Sequence, residues 1–469
     1  MRVGRQNGCS VQGGDYCRGV PDSTRWPNGG ASAPSRGSVL GFAVTLAMIT
    51  YVDRVCISQA APAIQGDLRL TAVQMGLAFS AFSWAYALFE IPGGWLGDWI
   101  GPRKVLMRVV IMWSVFTALT GYVWNAVSLI LTRFFFGVGE AGCFPNLTKA
   151  FMIWLPRDER TRAQAIMWLS ARWAGAFTPL LVIWVMSGLS WRRTFVVFAL
   201  LGVVWAIVFH LFFRHKSEAG GTPVGAATLE SRGPVSEFRV PWERLFSSRT
   251  VWLLWAQYFC LTYGWFFYVT WLPTYLKETR GLALDQNGFT LWLGNTLKQF
   301  FSLGTTQQVL IAAMAGIPLF FGGFGAIVCG IITPHLARRT GSMARTRKLI
   351  ALFGFTGAAV LLIGSIHVKD PLLAMCAMGL ASFCNDLTMP GSWSGCMDVG
   401  GKYAGTLSGS MNMMGSVAAG IAPLVTGILL DSSNRDWRLT FWISGVVYFL
   451  GGLCWLWLDP VTPIAEEEV

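Results

Sequence analysis

The chain has 469 residues, of which 54% are hydrophobic and 13% are charged, and its formal net charge is +12. Soluble proteins carry about a quarter charged residues, so this composition excludes an ordinary soluble domain. No basic patch with interleaved aromatic residues is visible, so the positive charge does not indicate nucleic-acid binding.

Residues 1–38 contain arginines among Gly, Ser and Pro, and they lack an apolar run. A cleavable signal peptide requires an apolar core of several residues. The segment is therefore predicted to be a disordered basic N-terminal tail.

Apolar stretches of transmembrane length, about 20 residues, recur along the rest of the chain. They are residues 39–60, 76–97, 105–123, 126–147, 163–187, 194–213, 251–275, 309–334, 349–367, 371–392, 405–430 and 437–458. The sequence predicts an all-α polytopic membrane protein with twelve transmembrane helices in two six-helix bundles. The predicted domains are a first bundle at 39–213, a linker at 214–250, a second bundle at 251–459 and an acidic tail at 460–469.

The distribution of Lys and Arg predicts the orientation. The N-terminal tail holds 5 of them and the loops on the same side hold 18, against 9 in the loops on the other side. Because cytoplasmic loops accumulate positive charge, both termini are expected in the cytoplasm. Residues 277–306 form a long interruption on the outer side. Trp292 and its apolar neighbours allow this segment to rest on the membrane surface, but a solvated loop is an equal alternative.

Few charged residues lie within the predicted spans. A charge at the bilayer centre costs at least about 2.5 kcal/mol, so such residues usually pair, face a polar interior or mark a transport path. The candidates are Asp53, Arg54, Glu90, Arg133, Glu140, Arg172 and Asp386.

Arg133 and Glu140 are seven residues apart on the fourth span, which places them on one helix face, about 10 Å apart. Gly137, Gly139 and Gly142 beside them favour close approach of another helix. The two charges can line one central cavity. Alternatively, they form a structural pair that only holds helices together.

Several motifs resemble those of the major facilitator superfamily. The segment from Gly94 to Lys104, which contains Asp98, Gly101 and Arg103, is similar to that family's signature loop between the second and third helices. Other motifs resemble the anion:cation symporter family, which includes bacterial galactonate, glucarate and hexuronate transporters. These motifs are Tyr51–Arg54, Tyr86, Pro92–Trp95, Arg133–Pro145, Trp154–Pro156 and Trp191–Arg192.

The resemblance implies roles for three residues on the first and fourth helices. In related sugar-acid symporters, the residues that match Asp53 and Glu140 carry protons, and the one that matches Arg54 meets the substrate carboxylate. Neighbouring helical residues face different directions, so Asp53 and Arg54 are expected to have different partners. Because burial and a nearby guanidinium act in opposite directions on a carboxyl group, arrival of an anion can change its affinity for a proton.

Arg172 departs from the galactonate-type pattern, which has Gln at the matching position. A second guanidinium near Arg54 suits a dianion, a phosphorylated sugar or a larger acid. The alternative is that Glu90 or Asp386 neutralises Arg172.

The remaining expected substrate-site residues are mostly aromatic or amide side chains. Aromatic faces, hydroxyls and amides suit recognition of a polyol, although Trp and Tyr are also common as packing and interface anchors. The complete predicted substrate-binding set is Tyr51, Arg54, Tyr86, Arg133, Arg172, Trp393 and Asn412.

The signature loop is expected to act as a conformational latch. Its Asp98 can bind a helix terminus or an Arg in one access state and release it in the other. The predicted latch consists of Gly94, Asp98, Gly101, Arg103 and Lys104. A similar segment, Ile331–Gly341, follows the eighth predicted span in the second half. It lacks an Asp and keeps Arg338 and Arg339, so a latch formed by it is expected to be weaker.

Together these features predict a monomeric secondary active transporter of the bacterial inner membrane. It is expected to couple protons to symport of an organic anion, such as a hexonate or hexuronate, by alternating access. A dicarboxylate or sugar phosphate substrate, sodium coupling, export, uniport and a membrane solute sensor remain alternatives. No catalytic constellation, cofactor or metal site is expected.

Overall fold

A computed structural model describes residues 36–217, 240–270, 272–275, 279, 288–301, 306–433 and 436–464. Nearly all of the predicted N-terminal tail, most of the predicted linker and the last five residues of the acidic tail lie outside the described residues. The described part of the chain is built from helices joined by short turns.

The described residues of the first half form seven helices, which are α1 Arg36–Leu68, α2 Ala72–Ile100, α3 Pro102–Thr120, α4 Ala126–Glu140, α5 Cys143–Trp154, α6 Arg157–Gly188 and α7 Trp191–Ser217. The helices described in the second half are α8 Trp242–Ser247, α9 Arg249–Thr270, α10 Leu272–Tyr275, α11 Gly288–Phe301, α12 Thr306–Thr340, α13 Met343–Ser365, α14 Pro371–Gly400, α15 Ala404–Ser432 and α16 Trp437–Trp457. Helix occupies each of the twelve predicted spans.

Eight stretches of the described residues are long and apolar enough to cross a membrane. One of them, Leu372–Ser432, contains both α14 and α15. The prediction of an all-α, multi-pass membrane protein is therefore confirmed. The count of twelve spans stays a prediction, because α2, α3 and α9 are outside this set.

The short connections alternate between the two ends of the helices. The turn at Gly101, the break at residues 155–156 and the 3₁₀ turn Gly401–Tyr403 share one end, which we call the signature-loop end. Near this end Arg36 at the start of α1 pairs with Glu159 at the start of α6, with an Nη1–Oε1 distance of 2.6 Å.

The opposite end of the first half is tied by a second ion pair. Arg192 Nη2 lies 2.9 Å from Asp67 Oδ2, which joins the start of α7 to the end of α1. Both side chains are partly exposed, so this pair contributes little to stability.

The fourth predicted span is broken rather than continuous. Gly142 separates α4 from α5 and has a φ of +84°, a left-handed conformation that favours glycine. Asn146 holds the break, because its Nδ2 donates to the carbonyl oxygens of Gly142 at 2.7 Å and Gly93 at 2.9 Å. The break fixes where Glu140, the last residue of α4, lies relative to α2.

Gly142→Ala is expected to lower the melting temperature of the purified protein by several degrees. A Cβ atom there would lie 2.7 Å from Gly93 Cα, and the left-handed backbone adds about 1–3 kcal/mol of strain. Gly76→Ala is the matched control, because a Cβ atom on that helical residue of α2 would meet nothing within 4 Å. Equal melting temperatures for both variants would show that the break tolerates a side chain.

The two halves contact each other through a small set of helices. α6 packs against α12 and α14, and α2 and α5 pack against α15. Glycines allow the second contact to be close: a Cβ on Gly94 would strike the backbone of Gly405, and one on Gly409 would lie 2.6 Å from the carbonyl oxygen of Glu90. Charged residues on α2, α6 and α14 are thereby brought to the boundary between the halves.

Part of the predicted outer segment is helical. α11 packs against the start of α12 and exposes Trp292. The segment Gly288–Phe301 is therefore helical, and whether it rests on the membrane surface or is solvated stays a prediction.

Candidate functional site

The centre of the site is a buried ion pair between α1 and α4. Arg54 Nε donates a hydrogen bond to Glu140 Oε1. The Glu140 side chain is fully buried, whereas 23% of the Arg54 side chain is exposed. The Arg54 guanidinium also lies over the Tyr86 ring, 4.3 Å from its centre. Arg54 is thus a partly accessible cation held by groups of the first half.

Asp53 has no hydrogen bond to either residue of this pair, as expected for a neighbouring helical residue. Its carboxyl is buried, and neither oxygen has a hydrogen-bond partner among the described residues. Glu140 and Arg133 are the charged residues that act on it most strongly. A buried carboxyl without a hydrogen bond is costly and marks a candidate site for a proton.

Arg133 lies one helix turn before Phe136 and is also buried. Its guanidinium is 4.4 Å from the centre of the Phe136 ring and 5.1 Å from that of Phe82. Its Nε has no partner in the part of the chain that the structure describes. Arg133 therefore acts on the carboxyls of Asp53 and Glu140 through space rather than through a described hydrogen bond.

Arg172 on α6 forms a bidentate ion pair with Asp386 on α14. Arg172 Nε is 2.6 Å from Asp386 Oδ2, and Nη2 is 2.9 Å from Oδ1. Both residues are almost completely buried. The sequence offered Glu90 and Asp386 as counter-charges for Arg172, and the structure pairs it with Asp386. The role of Arg172 in substrate binding stays a prediction.

Glu90 instead belongs to a network that joins α2 to α15. Asn412 Nδ2 donates to Glu90 Oε1 and, at 3.3 Å, to the Tyr86 hydroxyl. The Tyr258 hydroxyl donates to Asn412 Oδ1 at 3.3 Å, and Trp393 Nε1 donates to Tyr258 at 3.2 Å. These contacts place Tyr86, Trp393 and Asn412 in one network that crosses the boundary between the halves.

Tyr51 connects the two arginine sites. Its hydroxyl accepts a hydrogen bond from Arg172 Nη1 at 3.3 Å, and its ring centre is 5.9 Å from the Arg54 guanidinium. Described contacts therefore connect Glu140 with six of the predicted substrate-binding residues, whereas Asp53 and Arg133 act on this network through space. Which of them touch substrate stays a prediction.

Asp98 lies at the end of α2 and contacts the start of α15. Its carboxylate accepts hydrogen bonds from the backbone nitrogens of Gly405 at 3.0 Å and Thr406 at 2.6 Å. The positive N-terminal end of a helix favours such an anion. Lys149 Nζ adds an ion pair at 2.9 Å, so Asp98 connects the halves at the signature-loop end.

Asp98→Asn is expected to open this end in a fraction of the molecules. The variant keeps the shape but loses the charge, and a hydrogen bond to a charged group contributes about 1.5–3 kcal/mol. Pulsed electron–electron double resonance between spin labels at the exposed positions Asp158 and Arg345 should show a second, longer distance between the labels. Asp67→Asn, at the opposite end, should leave the wild-type distance distribution. A wild-type distribution in Asp98→Asn would contradict the latch.

The other predicted latch residues have different surroundings. Gly94 contacts Gly405, and Gly101 has a φ of +90°, which suits the turn between α2 and α3. Arg103 lines an apolar groove with Leu106, and Lys104 is exposed. Of the predicted latch, Gly94 and Asp98 contact the second half across the boundary.

Asp398 is a functional candidate that was not predicted from the sequence. Its two carboxylate oxygens accept from Arg160 Nη1 at 2.9 Å and Arg347 Nη2 at 2.7 Å. Arg160 belongs to the first half, so Asp398 provides a second ion-pair contact across the boundary. A signal was available, since Asp398 is one of three acidic residues between 288 and 430.

Lys149 is one of the 18 Lys and Arg that were predicted to lie in the loops on the side of the N-terminus, but it lies within a helix. It is buried within α5 and donates to the backbone oxygen of Lys402 at 2.6 Å as well as pairing with Asp98. The apolar run ends before Lys149, but the helix continues through Phe151 to Trp154.

Comparison with known proteins agrees with this architecture. The family model described as Major Facilitator Superfamily matches residues 43–423. A protein of Cupriavidus necator named "Probable sulfoacetate transporter SauU" is 34% identical over 92% of this chain and 96% of its own length. The "Probable L-galactonate transporter" of Escherichia coli is 28% identical over 88% of this chain and 86% of its own. The "Hexuronate transporter" of Bacillus subtilis is 27% identical over 88% and 91%.

The family match covers most of the chain, and the relatives match nearly end to end. The helices, the signature loop and the buried charges between two halves fit the same family. The chain therefore belongs to the Major Facilitator Superfamily and is a multi-pass membrane transporter, not an enzyme.

Proposed function

We propose that this protein is a proton-coupled symporter of a small organic anion. The observation that carries the proposal is Arg54, a partly exposed cation paired with buried Glu140 beside the unpartnered carboxyl of Asp53. The names of the relatives, which include transporters of sulfoacetate, galactonate and hexuronates, support an organic acid as substrate.

Arg54 is the proposed anchor for the substrate carboxylate or sulfonate. Its guanidinium can form two parallel hydrogen bonds to such a group. At present Glu140 uses one edge of the guanidinium, and Nη2 has no hydrogen-bond partner among the described residues. An anion that binds the fork formed by Nε and Nη2 of Arg54 therefore competes with Glu140 for Nε.

Asp53 and Glu140 are the proposed proton carriers. When the substrate anion binds Arg54, Glu140 loses its hydrogen bond to that cation. Glu140 is buried, and an unpaired carboxylate in a buried site is unfavourable. Uptake of a proton removes that charge. Asp53, which Arg133 and Glu140 act on through space, is the proposed entry or exit point of the proton.

Alternating access is proposed to occur by rocking of the two halves about this site. Asp98 and Asp398 hold the signature-loop end together in the observed conformation. Breaking these contacts would admit substrate from that end. The excess of Lys and Arg in its loops supports the proposal that it faces the cytoplasm of a bacterial cell, with both termini inside.

Transport by the purified protein in liposomes tests the proposal. Labelled hexonates, hexuronates, dicarboxylates, sugar phosphates and sulfoacetate would be offered with and without an inward proton gradient. We expect at least one acid to accumulate only with the gradient. Gradient-independent equilibration would favour a uniporter, and binding without movement would favour a sensor. Absence of binding and transport for every acid would contradict an organic-anion function.

A further inference from the structure

Two guanidinium groups approach the same tyrosine from different helices. Arg172 donates to the Tyr51 hydroxyl, and Arg54 lies 5.9 Å from the Tyr51 ring centre. Arg172 is further fixed by Trp265, whose ring centre is 4.1 Å from its guanidinium. The region around Tyr51 therefore contains two rigidly held cations rather than one.

Each cation has its own carboxylate, but the two pairs are placed differently. Arg54 and Glu140 both belong to the first half, whereas Arg172 belongs to the first half and Asp386 to the second. Any movement that separates α6 from α14 must break the second pair. Breaking a buried pair is strongly unfavourable unless another group replaces the lost partner.

We propose that Arg172 is a second anion subsite, so that the transporter selects acids with an anionic group at each end. One end binds Arg54, and the other takes the position on Arg172 that Asp386 occupies in the observed structure. This inference rests on the proposed function as an organic-anion transporter and specifies its substrate class.

The geometry of the Asp386 pair shows what Arg172 can bind. Nε and Nη2 present a fork that matches two oxygens of one planar or tetrahedral anion. A second carboxylate or a sulfonate can therefore replace Asp386 and keep Arg172 paired. A substrate with a neutral hydroxyl at that end cannot, because it supplies no negative charge.

Asp386 has groups nearby that can receive it when it leaves Arg172. Asn385 Nδ2 already donates to Asp386 Oδ1 at 2.8 Å. Ser382 is one helix turn away, and its buried hydroxyl has no partner in the described part of the chain. Ser382 and Asp386 both border Gly322, where the absence of a side chain leaves their oxygens room.

Binding of two matched acids tests this inference. D-Glucarate and D-gluconate differ only at one terminal group, a carboxylate or a hydroxymethyl, and sulfoacetate and acetate form a second pair. Their affinities would be measured by titration calorimetry on wild-type protein in nanodiscs. We expect the dianion of at least one pair to bind more tightly than its monoanion.

Arg172→Gln should weaken binding of the dianion at least about tenfold, which corresponds to 1.4 kcal/mol, and leave the monoanion close to wild type. Asp386→Asn removes the internal competitor and should tighten dianion binding. Should Arg172→Gln fold poorly, the double variant Arg172→Gln/Asp386→Asn removes both buried charges and is expected to show the same loss. Arg192→Gln is the matched control, because its ion pair with Asp67 lies at the opposite end of the first half.

Equal loss of both acids in the Arg172 variants, or wild-type preference for monoanions, would overturn the second subsite while leaving anion transport intact. Absence of binding or transport for every acid would contradict the proposed function itself. The two failures are therefore distinguishable.

Discussion

Asp53→Asn is expected to abolish accumulation of substrate against its gradient while substrate still binds. The Asp53 carboxyl is buried and lacks a hydrogen-bond partner among the described residues, so an amide of the same shape fits but cannot exchange a proton. Glu140→Gln should also prevent accumulation, because it fixes the second carboxyl in a neutral form. Uptake of a labelled acid into liposomes under a proton gradient measures the effect.

The control for these variants is Asp67→Asn, which removes an exposed carboxylate from the opposite end of the first half. It should accumulate substrate like wild type. Accumulation at the wild-type level by Asp53→Asn would exclude Asp53 as a proton carrier. The same result in both site variants would exclude both carboxyls and point to Glu90, the other buried carboxyl that interacts with Arg54.

Arg54→Gln is expected to weaken substrate binding by about 10-fold to 150-fold. The range follows from the roughly 1.5–3 kcal/mol that a hydrogen bond to a charged group contributes. Arg54→Lys should recover part of the loss, because an ammonium keeps the charge but lacks the guanidinium fork. Equilibrium binding of the acid found in the transport panel provides the measurement.

Arg193→Gln provides a control with the same change at an exposed position near the opposite end. It should bind substrate with wild-type affinity. Unchanged affinity in Arg54→Gln would move the anion site away from α1. Arg172, the second guanidinium beside Tyr51, would then be the alternative anchor for the anion.

The helical architecture was predictable from the sequence because apolar runs of membrane length are a strong signal. The break in the fourth span was missed, since Gly142 lies within an apolar, glycine-rich run. Pro145 gave a usable hint: proline is tolerated in the first turn of a helix, and it occupies the first turn of α5. The left-handed conformation of Gly142 could not be read from residue type alone.

The candidate site was predictable in its members but not in its pairings. Buried charges such as Arg54, Glu140 and Arg172 stand out because the bilayer penalises them. The partner of Arg172 depends on how α6 and α14 are rotated against each other, which no local pattern specifies. Asp398 was missed for a related reason, because its role follows from two arginines that are distant in sequence.

Proton movement that accompanies substrate entry tests the account most directly. Liposomes containing the protein and an internal pH-sensitive dye, with membrane voltage clamped and no pH gradient imposed, would receive an acid identified by the transport panel. We predict internal acidification that depends on the acid and is absent from Asp53→Asn and protein-free liposomes. Entry of the acid without a protein-dependent change in internal pH would contradict proton-coupled symport.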